Sequence, residues 1–228
     1  IHIKGLLINA IHWFWPELLQ GNFLYEFITP VMKAKKGKLT ESFYNLGDYE
    51  KWKEVNGGWS IKYYKGLGTS SPDEMREYFK DLDKHLIPLV WKSDTCGDKI
   101  DMAFRKDRVG DRKSWLNGNI PGQQFPEKFG RNISFEEFID EDLIQFSHAD
   151  NFRSIPHLVD GLKPSQRKIL YTCLKRNITS DIKVSQLSGS VSELTSYHHG
   201  EMSLQDATIG LAQDFVGSNN LNLLEPSG

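Results

Sequence analysis

Only two cysteines, Cys96 and Cys173, occur in 228 residues, and no C-x-x-C pair is present. That excludes a disulfide scaffold, argues against a structural zinc site and suits reduced thiols inside a cell. No apolar run reaches the roughly 20 residues that span a bilayer. The longest, GLLINAIHWFW (5–15), is broken by Asn9 and His12 and reads as a buried helix or strand-to-helix segment. There is no starting Met and no signal-peptide succession of charged, apolar and small residues. The chain reads as a piece of something longer. Internal repeats and low-complexity tracts are missing. So is bulk positive charge: the net charge is −2, which does not announce a nucleic-acid binder.

What is present is a globular composition, 39% hydrophobic and 12% aromatic. Charge is unevenly spread. Residues 151–200 hold seven Lys and Arg (153, 163, 167, 168, 175, 176, 183) against three Asp and Glu (160, 181, 193). Local positive potential is what a phosphate feels. A shorter basic run, KAKKGK (33–38), fits a solvated hairpin turn or a phosphate-facing edge.

The N-terminal half mixes strand and helix signals. GWSIKYYKG alternates Trp59, Ile61 and Tyr63 with Ser60, Lys62 and Tyr64, the pattern of a half-buried strand. Ser71, Pro72 and Glu74 then form a helix start with a capping box. Met75, Tyr78, Phe79, Leu82 and Leu86 make the apolar stripe expected of that helix. Strand, glycine turn and capped helix are the grammar of an α/β domain.

NGNIPGQQFPEKFG (117–130) has linker composition. Beyond it the pattern is mainly helical. Ser134 and Glu137 make a second capping box, followed by a stripe of Phe135, Phe138, Ile139, Leu143 and Phe146. In RSIPHLVDGLKPSQRKILYTCLKR (153–176) a DG turn precedes Pro164, and Ile169, Leu170, Cys173 and Leu174 are the expected buried face. KVSQLSGSVSEL and SLQDATIGLAQDF read as two helices around SYHHGE, a helix-turn-helix-like arrangement.

Three constellations bear on chemistry. In YYKGLGTSS (63–71), Gly66 and Gly68 could cradle a phosphate or simply make a tight turn. The third glycine of a dinucleotide fingerprint and the GK[ST] of a P-loop are both missing. In TSYHHGE (195–201), His198 and His199 lack the H-E-x-x-H spacing of a metal site. Two imidazoles beside a basic helix suit hydrogen bonding to phosphate oxygens. Tyr197, taken alone, is structural, because its phenol has no evident activating partner. Lys163, Gln166, Arg167 and Lys168 cluster at a helix start, either as a solvated basic face or, with the histidines, as a polyanion site.

The succession IHIKGLLIN, EFITPV, YYKGLGTSS, DRKSWL, RSIPHLVDGLKPSQRKILYTCLKR, LSGSVSELTSYHHGEMSL and LAQDFVGSNNLNLLEPSG resembles the eukaryotic-type type IIA DNA topoisomerases. The resemblance covers nearly the whole chain; residues 92–103 and 117–133 depart from it. It implies an α/β toprim portion followed by a mainly helical winged-helix (helix-turn-helix) domain. Residues 1–116 would be the C-terminal part of toprim and its extension, 117–133 a linker, and 134–228 the winged-helix domain of the breakage–reunion core, ending before the catalytic tyrosine.

The resemblance further implies a homodimer acting on double-stranded DNA, with ATP bound in another domain. Mg²⁺ would be held by acidic residues before Ile1, where the family usually has Ser at the position of Ile1. The nucleophilic tyrosine would lie beyond Gly228. His199 and His198 would stabilise the cleaved phosphate. Lys65, Arg131, Lys163, Gln166, Arg167 and Lys168 would face DNA. Localisation would be nuclear in a cellular eukaryote, or at a cytoplasmic replication site for a large DNA virus. The alternative is a non-catalytic winged-helix DNA-binding or scaffolding protein. The presence of both regions in one polypeptide favours the eukaryotic branch over the gyrase-like one.

Overall fold

The computed structural model describes all residues except 65, 66, 124, 126, 127, 198, 199, 219, 220 and 228. The chain divides into two compact units, Ile1–His148 and Ala149–Gly228.

Unit 1 is mixed α/β. Helix α1 (His2–Phe14) leads through α2 (Pro16–Gln20) into two small sheets. One contains β1 (Tyr25–Phe27), β5 (Leu86–Val90) and β6 (Ile133–Ser134), with β1 antiparallel and β6 parallel to β5. The other is antiparallel, with β2 (Met32–Lys36) between β3 (Leu39–Phe43) and β4 (Ser60–Tyr63). Helix α3 (Leu46–Val55) links β3 to β4 and is capped by Asn45, whose side chain accepts from Asp48 N. Helices α4 (Pro72–Lys80) and α5 (Leu82–His85) precede β5; α6 (Thr95–Phe104) and α7 (Val109–Asn117) follow it.

The core of unit 1 gathers Ile8, Ile87, Leu89, Ile100, Ile133, Phe135, Phe138, Ile139 and Leu143. Each fully buried side chain of this size contributes about 1.5–3 kcal/mol. Gly5 permits the close approach of α1, since a Cβ there would lie 2.9 Å from Phe104 Cζ and 3.3 Å from Leu143 Cδ1.

The Ser134–Glu137 capping box is formed as the sequence predicts, and Phe135, Phe138, Ile139 and Leu143 are buried. The helix it starts runs as α8 (Phe135–Glu137), a π-helical segment (Phe138–Leu143) and α9 (Ile144–Ser154). Its first two turns belong to the core of unit 1, so the compact units divide later than the 117–133 linker expected from composition. Glycine and proline content marked an irregular surface segment, but the apolar stripe after it packs backwards.

Two other expectations are corrected. In β4, Ile61 and Tyr63 are exposed while Tyr64, on the opposite face, is buried. Alternation located the strand, but the polar network around Glu74 selected the inward face. The helix after Ser71 stops at Lys80, and Leu86 begins a strand; Tyr78 is buried and Phe79 exposed.

Unit 2 packs three helices, α10 (Pro164–Lys175), α11 (Val184–Thr195) and α12 (Glu201–Ala212), around Ile169, Leu187, Val191, Leu204 and Leu211. The two helices around the YHHGE turn are α11 and α12. On α10 the inward face is Ile169 and Thr172, with Cys173 half-buried, whereas Leu174 is 81% exposed. Thr172 is inward because its hydroxyl donates to Lys168 O at 2.9 Å, which satisfies it inside the helix. A Schellman motif ends α10: Ile178 N donates to Cys173 O at 3.0 Å and Asn177 N to Leu174 O at 3.2 Å, with Asn177 at φ 49°.

Candidate nucleic-acid interface

Unit 2 brings the basic cluster to the N-terminal end of α10. Pro164 opens the helix with its φ already fixed, and Gln166 Oε1 accepts from Lys163 N at 2.8 Å. Ahead of it, Gly161 at φ +68° allows a tight turn, closed by Gly161 N donating to His157 O at 2.8 Å and His157 N to Leu162 O at 3.0 Å.

Arg167 reaches back across that turn. Its Nε donates to Asp160 Oδ2 at 3.0 Å and its Nη2 to Asp160 Oδ1 at 3.0 Å. The Leu162 N–H and then Arg167 hold the Asp160 carboxyl below its usual range. Arg167 thus spends part of its charge inside the chain.

Lys168 points to the end of α11. Its Nζ donates to Thr195 O at 3.1 Å and lies 5.7 Å over the Tyr197 ring. Ser196 takes the left-handed conformation at φ 48°, so the chain leaves α11 sharply towards Tyr197. Arg153, Pro164, Ser165, Lys168, Tyr197 and Ser203 line one cleft of about 310 Å³. Two cations, two hydroxyls and an aromatic rim can accept a phosphate and the sugar beside it. His198 and His199, which follow Tyr197 in the chain, lie outside the described residues, as does Lys65.

The sequence missed part of this cleft. Arg153 stood out only as one charge among seven, and Ser165 and Ser203 carried no signal, because no periodicity links α9, α10 and α12. Tyr197 has the structural role read for it, packing against the core of unit 2.

In unit 1, Arg131 Nη1 donates to Glu137 Oε1 at 2.8 Å, and Lys92 Nζ reaches Glu137 Oε2 at 3.2 Å. Burial works to raise the Glu137 carboxyl, but the Ser134 N–H, Arg131 and Lys92 outweigh it and bring it to about 2. Arg131 therefore sits against a carboxylate that stays ionised at any physiological pH.

Glu74 forms the second such centre. Lys62 Nζ donates to Oε2 at 2.7 Å, Ser71 N to Oε2 at 2.7 Å, and the buried Tyr64 hydroxyl to Oε1. Burial again opposes ionisation, but these donors lower the carboxyl from its ordinary 4.5 to about 2. Burial first, and then Glu74, push the Tyr64 phenol up. Among the described residues no group of three or more His, Cys, Asp or Glu could hold a metal ion. Nor is any helix of the described residues long and apolar enough to cross a membrane.

Comparison with known proteins adds to this geometry. The family model for the C-terminal associated domain of TOPRIM matches residues 27–151, and that for the A-type chain of DNA gyrase/topoisomerase IV matches 153–228. Together they define the class, a type IIA topoisomerase arrangement with both regions in one polypeptide. The chain is 52% identical over its whole length to "DNA topoisomerase 2" of Plasmodium falciparum (isolate K1 / Thailand), covering 16% of that protein. It is 49% identical to "DNA topoisomerase 2-alpha" of Homo sapiens, again over 100% of the chain and 16% of the relative. The crystal structure of the Plasmodium falciparum topoisomerase II DNA-binding, cleavage and re-ligation domain superposes with a TM-score of 0.82 at 52% identity, over 100% of this chain and 31% of that one.

The chain belongs to the eukaryotic-type type IIA DNA topoisomerase family. It spans about a sixth of the length of the curated relatives it matches.

Proposed function

We propose that this chain is the DNA-gate portion of an ATP-dependent type II DNA topoisomerase, which cleaves a duplex through a tyrosyl phosphodiester, passes a second duplex and religates the first. The observation that carries this reading is the cleft in which Arg153, Ser165, Lys168 and Ser203 converge on Tyr197, the residue directly before His198 and His199 in the chain. The similarity to a solved DNA-binding, cleavage and re-ligation domain supports it.

In this reading His199 and His198 donate to non-bridging oxygens of the scissile phosphate, where negative charge grows in the transition state. Lys168 and Arg153 hold the strand in the cleft. Lys163, Gln166, Arg167 and Lys65 track neighbouring phosphates. Arg131 joins them only by sharing or leaving Glu137. Mg²⁺, bound by acidic residues outside this chain, supplies charge at the leaving oxygen. ATP acts in a separate domain, the working form is a homodimer, and the protein works on nuclear DNA. The toprim portion and its extension make up most of unit 1, and unit 2 is the winged-helix part of the gate.

The reading is tested by trapping covalent complexes. The complete protein carrying this chain is mixed with supercoiled plasmid and Mg²⁺ and quenched with detergent. Protein-linked, broken DNA is expected, and His199→Ala should reduce it by about 10²-fold or more. DNA binding with no trapped breaks would overturn the reading in favour of a non-catalytic DNA-binding protein.

A further inference from the structure

Glu74 lies in the first turn of α4, yet its carboxylate is bound from both sides of the preceding turn. Lys62 and Tyr64 reach it from the end of β4, and Ser71 N from the start of α4. Lys62 Nζ also sits 4.7 Å over the Tyr64 ring. The residues between are 65–70, within which Leu67–Thr69 form a 3₁₀ turn. A capping box needs only the exchange between Ser71 and Glu74. Burying that glutamate to 7% exposure against a lysine and a tyrosine of the strand goes beyond what capping requires. Three donors on one ionised acceptor are stronger than neutral bonds. Sheltered from water, they stiffen what they join.

We infer that Glu74 is a positioning residue for the 65–70 turn, tying the end of β4 to the start of α4 so that Lys65 and the turn's backbone are ordered before DNA arrives. This rests on the DNA-gate reading above. Lys65 is the residue directly after Tyr64, so the tie acts one bond from it. Ordering the turn in advance lowers the entropy cost of engaging a phosphate. It also holds the contact where small displacements cost rate.

The test uses the complete protein and four variants: Glu74→Gln, Tyr64→Phe, Lys65→Ala and Glu74→Gln with Lys65→Ala. Cleavage is timed in a single turnover at saturating DNA, and thermal unfolding is measured alongside. Glu74→Gln should slow cleavage about tenfold, and Tyr64→Phe by a smaller factor. In the Lys65→Ala background Glu74→Gln should slow it no further, although the unfolding midpoint still drops. Non-additivity in rate with additivity in stability separates positioning from general support of the fold.

Equal slowing with and without Lys65 overturns the inference, and so does an unaffected Lys65→Ala protein. If Glu74→Gln does not fold, Tyr64→Phe in the two Lys65 backgrounds decides in the same way. A wild-type protein that never cleaves DNA overturns the DNA-gate reading itself, and the inference with it. Cleavage by wild type with additive rates overturns the inference alone.

Discussion

Arg167 and Asp160 face each other across the DG turn in a two-pronged ion pair, with both N–O distances 3.0 Å. Lys163, at the same helix start, uses its backbone N–H on Gln166 and keeps its ammonium for other partners. The two cations should therefore differ as DNA ligands. In duplex-binding titrations against salt, Lys163→Ala should reduce the slope of log K by about 0.9, the share of one neutralised phosphate. Arg167→Ala should reduce it by less, and Asp160→Asn should steepen it. Equal reductions in slope at 163 and 167 contradict this assignment.

Acid should loosen unit 1 through Glu74 and Glu137. Both are held near 2 in the folded chain, against an ordinary 4.5. Because the folded value is the lower one, their stabilisation is complete above about pH 4.5 and is lost as pH falls towards 2. Urea unfolding followed by tryptophan fluorescence should show stability declining over that window. Glu74→Gln should flatten the decline. A wild-type curve level down to pH 2.5 counts against the two networks.

Tyr64→Phe isolates one bond. It removes the hydroxyl that donates to Glu74 Oε1 and leaves Lys62 and Ser71 in place. Losing a buried donor to a charged acceptor should cost about 1.5–3 kcal/mol, read from the same unfolding curves. Tyr63→Phe, half-exposed on the other face, serves as the control and should change stability by no more than about 0.5 kcal/mol.

Much of this was readable in the residues. The capping boxes at Ser71 and Ser134, the linker composition and the paired helices around YHHGE all rest on local rules of spacing and backbone bonding. Those rules act over a few residues and survive folding. The inward face of β4 and the end of α4 were not legible. They depend on Glu74 meeting Tyr64 and on Leu86 pairing with Phe27, contacts that no single helix or strand period encodes. The cleft was half legible for the same reason: α10 announced its charges, whereas Arg153, Ser165 and Ser203 converge only in three dimensions.

The corrected face of α10 makes its own prediction. Ile169 is fully buried among Leu187, Val191 and Leu204, while Leu174 is mostly exposed. Ile169→Ala should destabilise unit 2 by about 2–5 kcal/mol. Leu174→Ala should fall within about 0.5 kcal/mol of wild type. Chemical denaturation distinguishes these outcomes, and a larger cost at Leu174 would restore the stripe read from periodicity.

The most direct measurement of the central claim is the topoisomer distribution of a single-linking-number plasmid incubated with the complete protein, Mg²⁺ and ATP. The account predicts products that differ from the substrate in linking number only by even steps, formed only with ATP, and largely lost in His199→Ala. Steps of one, or an unchanged distribution from a folded protein that binds the plasmid, would contradict it.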